Sequence, residues 1–177
     1  AILTAAIVIA EEYQVALMAP TEILAEQHFE SISAYCKQVN ITTAIITSNT
    51  PKKEKEVILN QLKSGEIDFI IGTHSLIQDK VLFHNLGLII IDEQHRFGVE
   101  HRKLLIEKGM NPEILAMTAT PIPRTLSITI HGDMDISIID ELPKNRIPIK
   151  TKLITPNQLN QIYDMMKKEM KNGGQCF

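Results

Sequence analysis

Four consecutive large aliphatic residues, Leu88, Ile89, Ile90 and Ile91, lead directly into two adjacent carboxylates, Asp92 and Glu93. Such a run cannot face water on either side, so it predicts a central strand of a parallel sheet with helices packed on both faces. Open sheets of this kind do their chemistry beyond the carboxyl ends of their strands, where the two acids fall. Successive side chains of a strand point to opposite faces. Neighbouring acids can therefore take different tasks, one ligating Mg²⁺ directly or through water, the other polarising a water. A strand that merely ends in acids is the plainer account of the pair, and the next two residues, Gln94 and His95, weigh against it.

A second block carries the same pattern. Leu115, Ala116, Met117 and Thr118 predict another buried strand, Ala119 and Thr120 a turn of small residues, and Pro121 and Pro123 the opening of a helix. Proline is tolerated there because its missing N–H has no partner in a first helical turn. Thr118 and Thr120 are short hydrogen-bonding side chains at a strand end, suited to a relay between a nucleotide site and a second ligand. Elsewhere, apolar runs predict strands over 15–20, 43–48, 69–73, 88–92 and 114–118. Helical spacing predicts helices over 21–38 and over Lys52–Ser64, the latter closed by Gly65. This alternation gives an α/β fold, a doubly wound parallel sheet with helices on both faces and right-handed crossovers. Beyond Pro148, residues 150–154 read as extended. Leu159, Ile162, Tyr163, Met166 and Met170 then stripe a final helix whose apolar face awaits a partner.

Asp92-Glu93-Gln94-His95 followed by Thr118-Ala119-Thr120 resembles motifs II and III of the superfamily 2 helicases, the first of them a Walker B arrangement. The longer strings Asp92–Val99 and Met117–Leu126 are similar to the RecG family of branch-migrating DNA helicases. Ala19-Pro20-Thr21-Glu22-Ile23-Leu24-Ala25 resembles that family's motif Ia, Gly72-Thr73-His74-Ser75-Leu76-Ile77-Gln78 its motif Ib, and Gly132–Pro143 the segment closing its first motor lobe. The resemblance implies a RecA-like fold and an ATP-dependent, Mg²⁺-requiring translocase working on branched or duplex DNA in repair and recombination. By the same resemblance Asp92 holds Mg²⁺, Glu93 reaches it through water and polarises the attacking water, and Gln94 and His95 complete the catalytic motif. His95 can reach Thr118 or Thr120. With Ala119 and Arg96 these residues carry nucleotide state toward the DNA. Pro20, Thr21, Glu22, Gly72, Thr73, His74 and Arg124 are implied to face DNA. After strands, the N–H groups and hydroxyls of the two turns can meet a phosphodiester backbone at helix N-termini. Thr21 and Ser75 would equally serve as N-caps.

The chain departs from the resemblance at its ends. None of its eight glycines precedes a lysine followed by Ser or Thr, so the Gly-x-x-x-x-Gly-Lys-Thr phosphate loop is absent. We therefore expect a fragment of a larger protein: 1–148 a first RecA-like lobe without its phosphate loop, 149–177 a linker and the start of a second lobe. Alone, it should not hydrolyse ATP. A net charge of −3 gives no basic footprint, so DNA contact would rest on local groups and on the parent's remaining domains. Two distant cysteines, Cys36 and Cys176, suggest a reducing compartment, and no apolar run is long enough for a membrane helix, which makes the cytoplasm the default. A zinc site from Glu93, His95 and His101 matches no usual ligand spacing. Two other functions remain open: a translocase of the transcription-repair coupling type, which shares much of the pattern, and a non-catalytic helicase-like interaction module.

Overall fold

The computed structural model describes residues 1–119, 135–141, 143, 146, 147, 149, 151 and 153–176. Thr120, Arg124, the proline-opened helix expected from Pro121, and Gly132, Asp133, Met134 and Leu142 of the Gly132–Pro143 segment lie outside these. The chain divides into two compact units, Ala1–Ile130 and His131–Phe177.

The first unit is an α/β layer structure. Helix α1 (Ile2–Ala10) precedes β1 (Gln14–Met18), α2 (Glu22–Cys36), β2 (Thr43–Ile46), α3 (Lys52–Ser64), β3 (Phe69–Gly72), β4 (Leu86–Ile91), α4 (Val99–Ile106) and β5 (Glu113–Ala116). The strands form one sheet in the order β2-β3-β1-β4-β5, and every pairing is parallel. Strands β1 and β3 are buried throughout, and β4 at all but one position, as continuous aliphatic runs require. The two-residue period of a strand divides their side chains between two cores. Ala16, Met18, Ile70, Ile89 and Ile91 meet Ile58 and Leu62 of α3 and Leu105 of α4. Val15, Leu17, Phe69, Ile71, Leu88 and Ile90 meet Ala5 of α1 and Ala25, Ile32 and Cys36 of α2.

Helix α3 ends where Gly65 predicts: the glycine takes φ +84°, and its N–H and that of Glu66 return to Leu62 and Gln61, the left-handed closure that glycine permits without steric cost. The expected helix over 21–38 stops at Cys36 and tightens into a 3₁₀ turn, Lys37–Val39. Strand β4 begins two residues earlier than its aliphatic run, because Gly87 lets the backbone pass Tyr13, where an added Cβ would lie 2.6 Å from the tyrosine Cβ. Ser75 does not cap a helix. It sits inside a 3₁₀ turn, His74–Ile77, buried, its Oγ unpartnered among the described residues, with Thr73 at the capping position.

In the second unit, α5 (Leu159–Lys171) follows a turn at Pro156–Gln158, where Gln158 Oε1 accepts from the Thr155 N–H at 3.1 Å. The expected stripe is present on it, with Tyr163 and Met170 exposed. The described residues of 149–154 form no strand.

Candidate functional site

Parallel pairing brings the carboxyl ends of all five strands to one rim. Ile46, Gly72, Met18, Ile91 and Ala116 form a single register row across the sheet. Just beyond it, Ala19 N–H donates to Gly72 O at 2.8 Å, Asp92 N–H to Met18 O at 3.0 Å and Met117 N–H to Ile91 O at 2.8 Å. The segments Pro20–Glu22, Thr73–His74, Asp92–Arg96 and Thr118–Ala119 therefore leave the sheet at one level, from the four adjacent strands β3, β1, β4 and β5. Strands β1 and β4 are neighbours, yet α2 and α4, which follow them, pack into opposite cores. Where the following helices diverge in this way, the strand ends are the usual ligand position of such sheets.

Asp92 and Glu93 stand at these strand ends. Asp92 Oδ1 accepts the Glu93 N–H at 2.9 Å, and Oδ2 accepts from His28 Nε2 of α2 at 2.8 Å. A carboxylate can only accept, so the imidazole donates through Nε2. Glu93 adopts the left-handed region, φ +49° and ψ +53°, uncommon for a residue with a Cβ and associated with functional turns. Its Oε2 is buried and accepts no hydrogen bond from the described residues, although His95 Nδ1 lies 3.3 Å away, at ion-pair distance but poorly aligned. A buried carboxylate oxygen of this kind suits a water or a cation. Mg²⁺ takes one or two carboxylates together with waters and phosphate oxygens, so Asp92 and Glu93 fit the protein's share of such a site. Among the described residues no three His, Cys, Asp or Glu side chains converge as a metal group.

Gln94, His95 and Arg96 form a 3₁₀ turn. The Gln94 N–H reaches Met117 O at 3.2 Å, tying the acidic turn to the residue before Thr118. Arg96, Thr118 and Ala119 are exposed. On the opposite flank, Phe97 is buried beneath the Gly72–His74 turn. The His74 ring is 5.3 Å from that of Phe97 and packs edge-on against His101 of α4 at 4.8 Å. Burial against these rings, and secondarily the charge of His101, lowers the His74 pKa below its ordinary value.

The remaining expected residues have structural partners as well. Thr21 caps α2, its hydroxyl accepting from Leu24 N–H at 3.3 Å. The Glu22 carboxylate holds the loop after β2 through Ser48 N–H at 2.9 Å and the Asn49 side-chain amide. At Gly72 an added Cβ would lie 2.5 Å from Ile46 O, so the backbone there passes too close to its neighbour for a side chain. His28 was not foreseen. Its signal was a polar residue on the sheet-facing stripe of α2 between buried Ala25 and Ile32, and its partner is 64 residues away.

A family model described as DEAD/DEAH box helicase matches residues 1–129. Over 179 aligned residues the chain is 49% identical to the ATP-dependent DNA helicase RecG of Aquifex aeolicus, covering 100% of this chain and 23% of that protein. It is 54% identical over 165 residues to the RecG of Streptococcus pneumoniae, covering 93% of this chain and 24% of that one. A solved structure of RecG bound to a three-way DNA junction superimposes with a TM-score of 0.75 at 41% identity, covering 92% of this chain and 22% of that chain. The chain spans about a quarter of the length of these curated relatives.

Proposed function

Because the chain belongs to the DEAD/DEAH box helicase family, we propose that it forms part of the first motor lobe of an ATP-dependent double-strand DNA translocase of the RecG kind, acting on branched DNA in repair and recombination. The observation that carries this reading is the register row Ile46, Gly72, Met18, Ile91 and Ala116, since the acidic turn and the segments resembling the other helicase motifs leave the sheet from one rim.

In this reading Asp92 holds Mg²⁺ and Glu93 reaches it through water. Held there beside ATP, the ion would supply positive charge that offsets the charge of the phosphates. Glu93 polarises the attacking water and takes its proton. Its buried Oε2, which accepts no hydrogen bond from the described residues, is the acceptor for that step. His95, at ion-pair distance from the same oxygen, restrains it, and Gln94 joins the turn to β5 through Met117 O. Along this link His95, Arg96, Thr118, Ala119 and Thr120 carry nucleotide state outward. Pro20, Thr21, Glu22, Gly72, Thr73, His74 and Arg124 form the DNA side, where N–H groups and hydroxyls position a phosphodiester backbone without reading sequence. The phosphate-binding loop comes from sequence outside these 177 residues, so the chain by itself turns over no ATP. No helix among the described residues is long and apolar enough to cross a membrane, and two free thiols, Cys36 and Cys176, accord with a cytoplasmic site.

The test is ATP hydrolysis by the full-length protein on forked or four-way DNA against plain duplex. Stronger stimulation by branched DNA is expected, with a Glu93→Gln variant slowed by about 10²–10⁴-fold. Equal stimulation by plain duplex would move the reading to a general translocase, and a wild-type rate in the Gln variant would remove Glu93 from the chemistry.

A further inference from the structure

Helix α2 lies on the sheet through Ala25, Ile32 and Cys36. His28, three residues after Ala25 and four before Ile32, belongs to the same stripe by helical spacing. An aliphatic side chain would fill that position without cost, whereas an imidazole there must find a hydrogen bond. It finds Asp92 Oδ2 at 2.8 Å, both side chains being largely shielded, 28% and 19% exposed. We propose that His28 is a positioning residue for the acidic turn, fixing the orientation of the Asp92 carboxylate beside Glu93 at the strand ends.

The two oxygens of Asp92 are held from different directions. His28 fixes Oδ2 from α2, while Oδ1 accepts the Glu93 N–H. That N–H lies in the peptide plane that follows Asp92, so the second bond ties the Asp92 rotamer to the orientation of the peptide leading into Glu93. Without His28 the carboxylate can turn about its side-chain torsions, and its bond to the Glu93 N–H weakens. Each oxygen keeps a further lone pair after these bonds, so the restraint orients Asp92 without using up its capacity for a cation. An outer partner that fixes a metal-binding carboxylate typically changes metal affinity or activity by 10–100-fold.

The inference rests on the reading of Asp92 as an Mg²⁺ ligand, and the test separates the two. In the full-length protein, His28→Ala, His28→Gln and Asp92→Asn are compared by three readouts: the Mg²⁺ concentration for half-maximal DNA-stimulated hydrolysis, Mn²⁺ binding in the presence of a non-hydrolysable nucleotide by electron paramagnetic resonance, and thermal midpoint. His28→Ala is expected to weaken Mn²⁺ binding and raise the Mg²⁺ requirement by about 10-fold or more. His28→Gln, which can still donate, should recover part of both. If His28→Ala loses thermal stability while its metal constants stay at wild type, His28 is a packing residue and the inference is overturned. If Asp92→Asn also leaves Mn²⁺ binding unchanged, the Mg²⁺ role of Asp92 fails and the positioning role falls with it. A shift confined to Asp92→Asn sustains the Mg²⁺ role and overturns His28 alone.

Discussion

Gln14 binds four backbone groups with one amide. Its Nε2 donates to Leu62 O at 2.9 Å and Ile67 O at 2.7 Å, and its Oε1 accepts from His84 N–H at 2.7 Å and Asn85 N–H at 3.1 Å. The side chain thus joins the end of α3, the approach to β3 and the approach to β4 at the amino end of the sheet, opposite the acidic turn. At 4% exposure the Gln14 side chain is itself shielded from water. Gln14→Leu keeps most of the volume but strands two carbonyls and two N–H groups, each costing about 1–3 kcal/mol if unrelieved. We expect a loss of about 3 kcal/mol or more, read as a lower urea midpoint at unchanged slope. A loss below about 0.5 kcal/mol would mean that the loops re-pair or admit water. The sequence alone set the start of this strand at Val15, because a glutamine before an aliphatic run reads as a polar boundary. His28 was missed for the same reason. A polar side chain announces its chemistry only through its partners, and those are 48 to 71 residues away for Gln14 and 64 for His28.

Elements were more legible than contacts. Each buried strand is a run of aliphatic residues that no other element could hide, and Gly65 marks the end of α3 because it takes the positive φ that closes the helix. Asp92 and Glu93 could be assigned to the carboxyl-end rim of the sheet from the same logic. The turn at His74–Ile77 was less legible. Ser75 has the composition of a cap, but the chain turns one residue earlier and buries it, a choice made by Leu76 entering the core and Phe97 packing under His74. This contact joins the turn after β3 to the acidic turn after β4, and it gives a pH signature. The folded pKa of His74 lies below 6.5, chiefly from burial and secondarily from His101. The unfolded chain therefore binds the proton more readily, so the contribution is full above pH 6.5 and is lost as pH falls through 6.5 toward the folded value. Urea midpoints at about pH 7.5 and about pH 5.5 should differ less in His74→Gln than in the wild type. An equal difference in both would assign the pH dependence to other groups.

At the scale of the whole chain, charge and surface decide how much of DNA recognition these residues can supply. Eighteen Lys and Arg face 21 Asp and Glu, so long-range attraction to a polyanion is absent, and the segments on the rim offer mainly neutral N–H groups and hydroxyls. Such groups orient a phosphodiester backbone, but they release few counterions, and counterion release supplies most of sequence-independent affinity. The 177-residue chain should therefore bind duplex or forked DNA more weakly than about 10⁻⁴ M at physiological salt, with a shallow dependence on salt. Fluorescence anisotropy over a salt series measures both quantities. Weak binding with a shallow slope would assign this lobe to holding the register of DNA that other parts of a full-length translocase attract. Micromolar binding with a steep slope would require a local basic surface strong enough to overcome the net charge of −3, and the DNA-facing role would then shift from the backbone groups of the rim to lysine and arginine side chains.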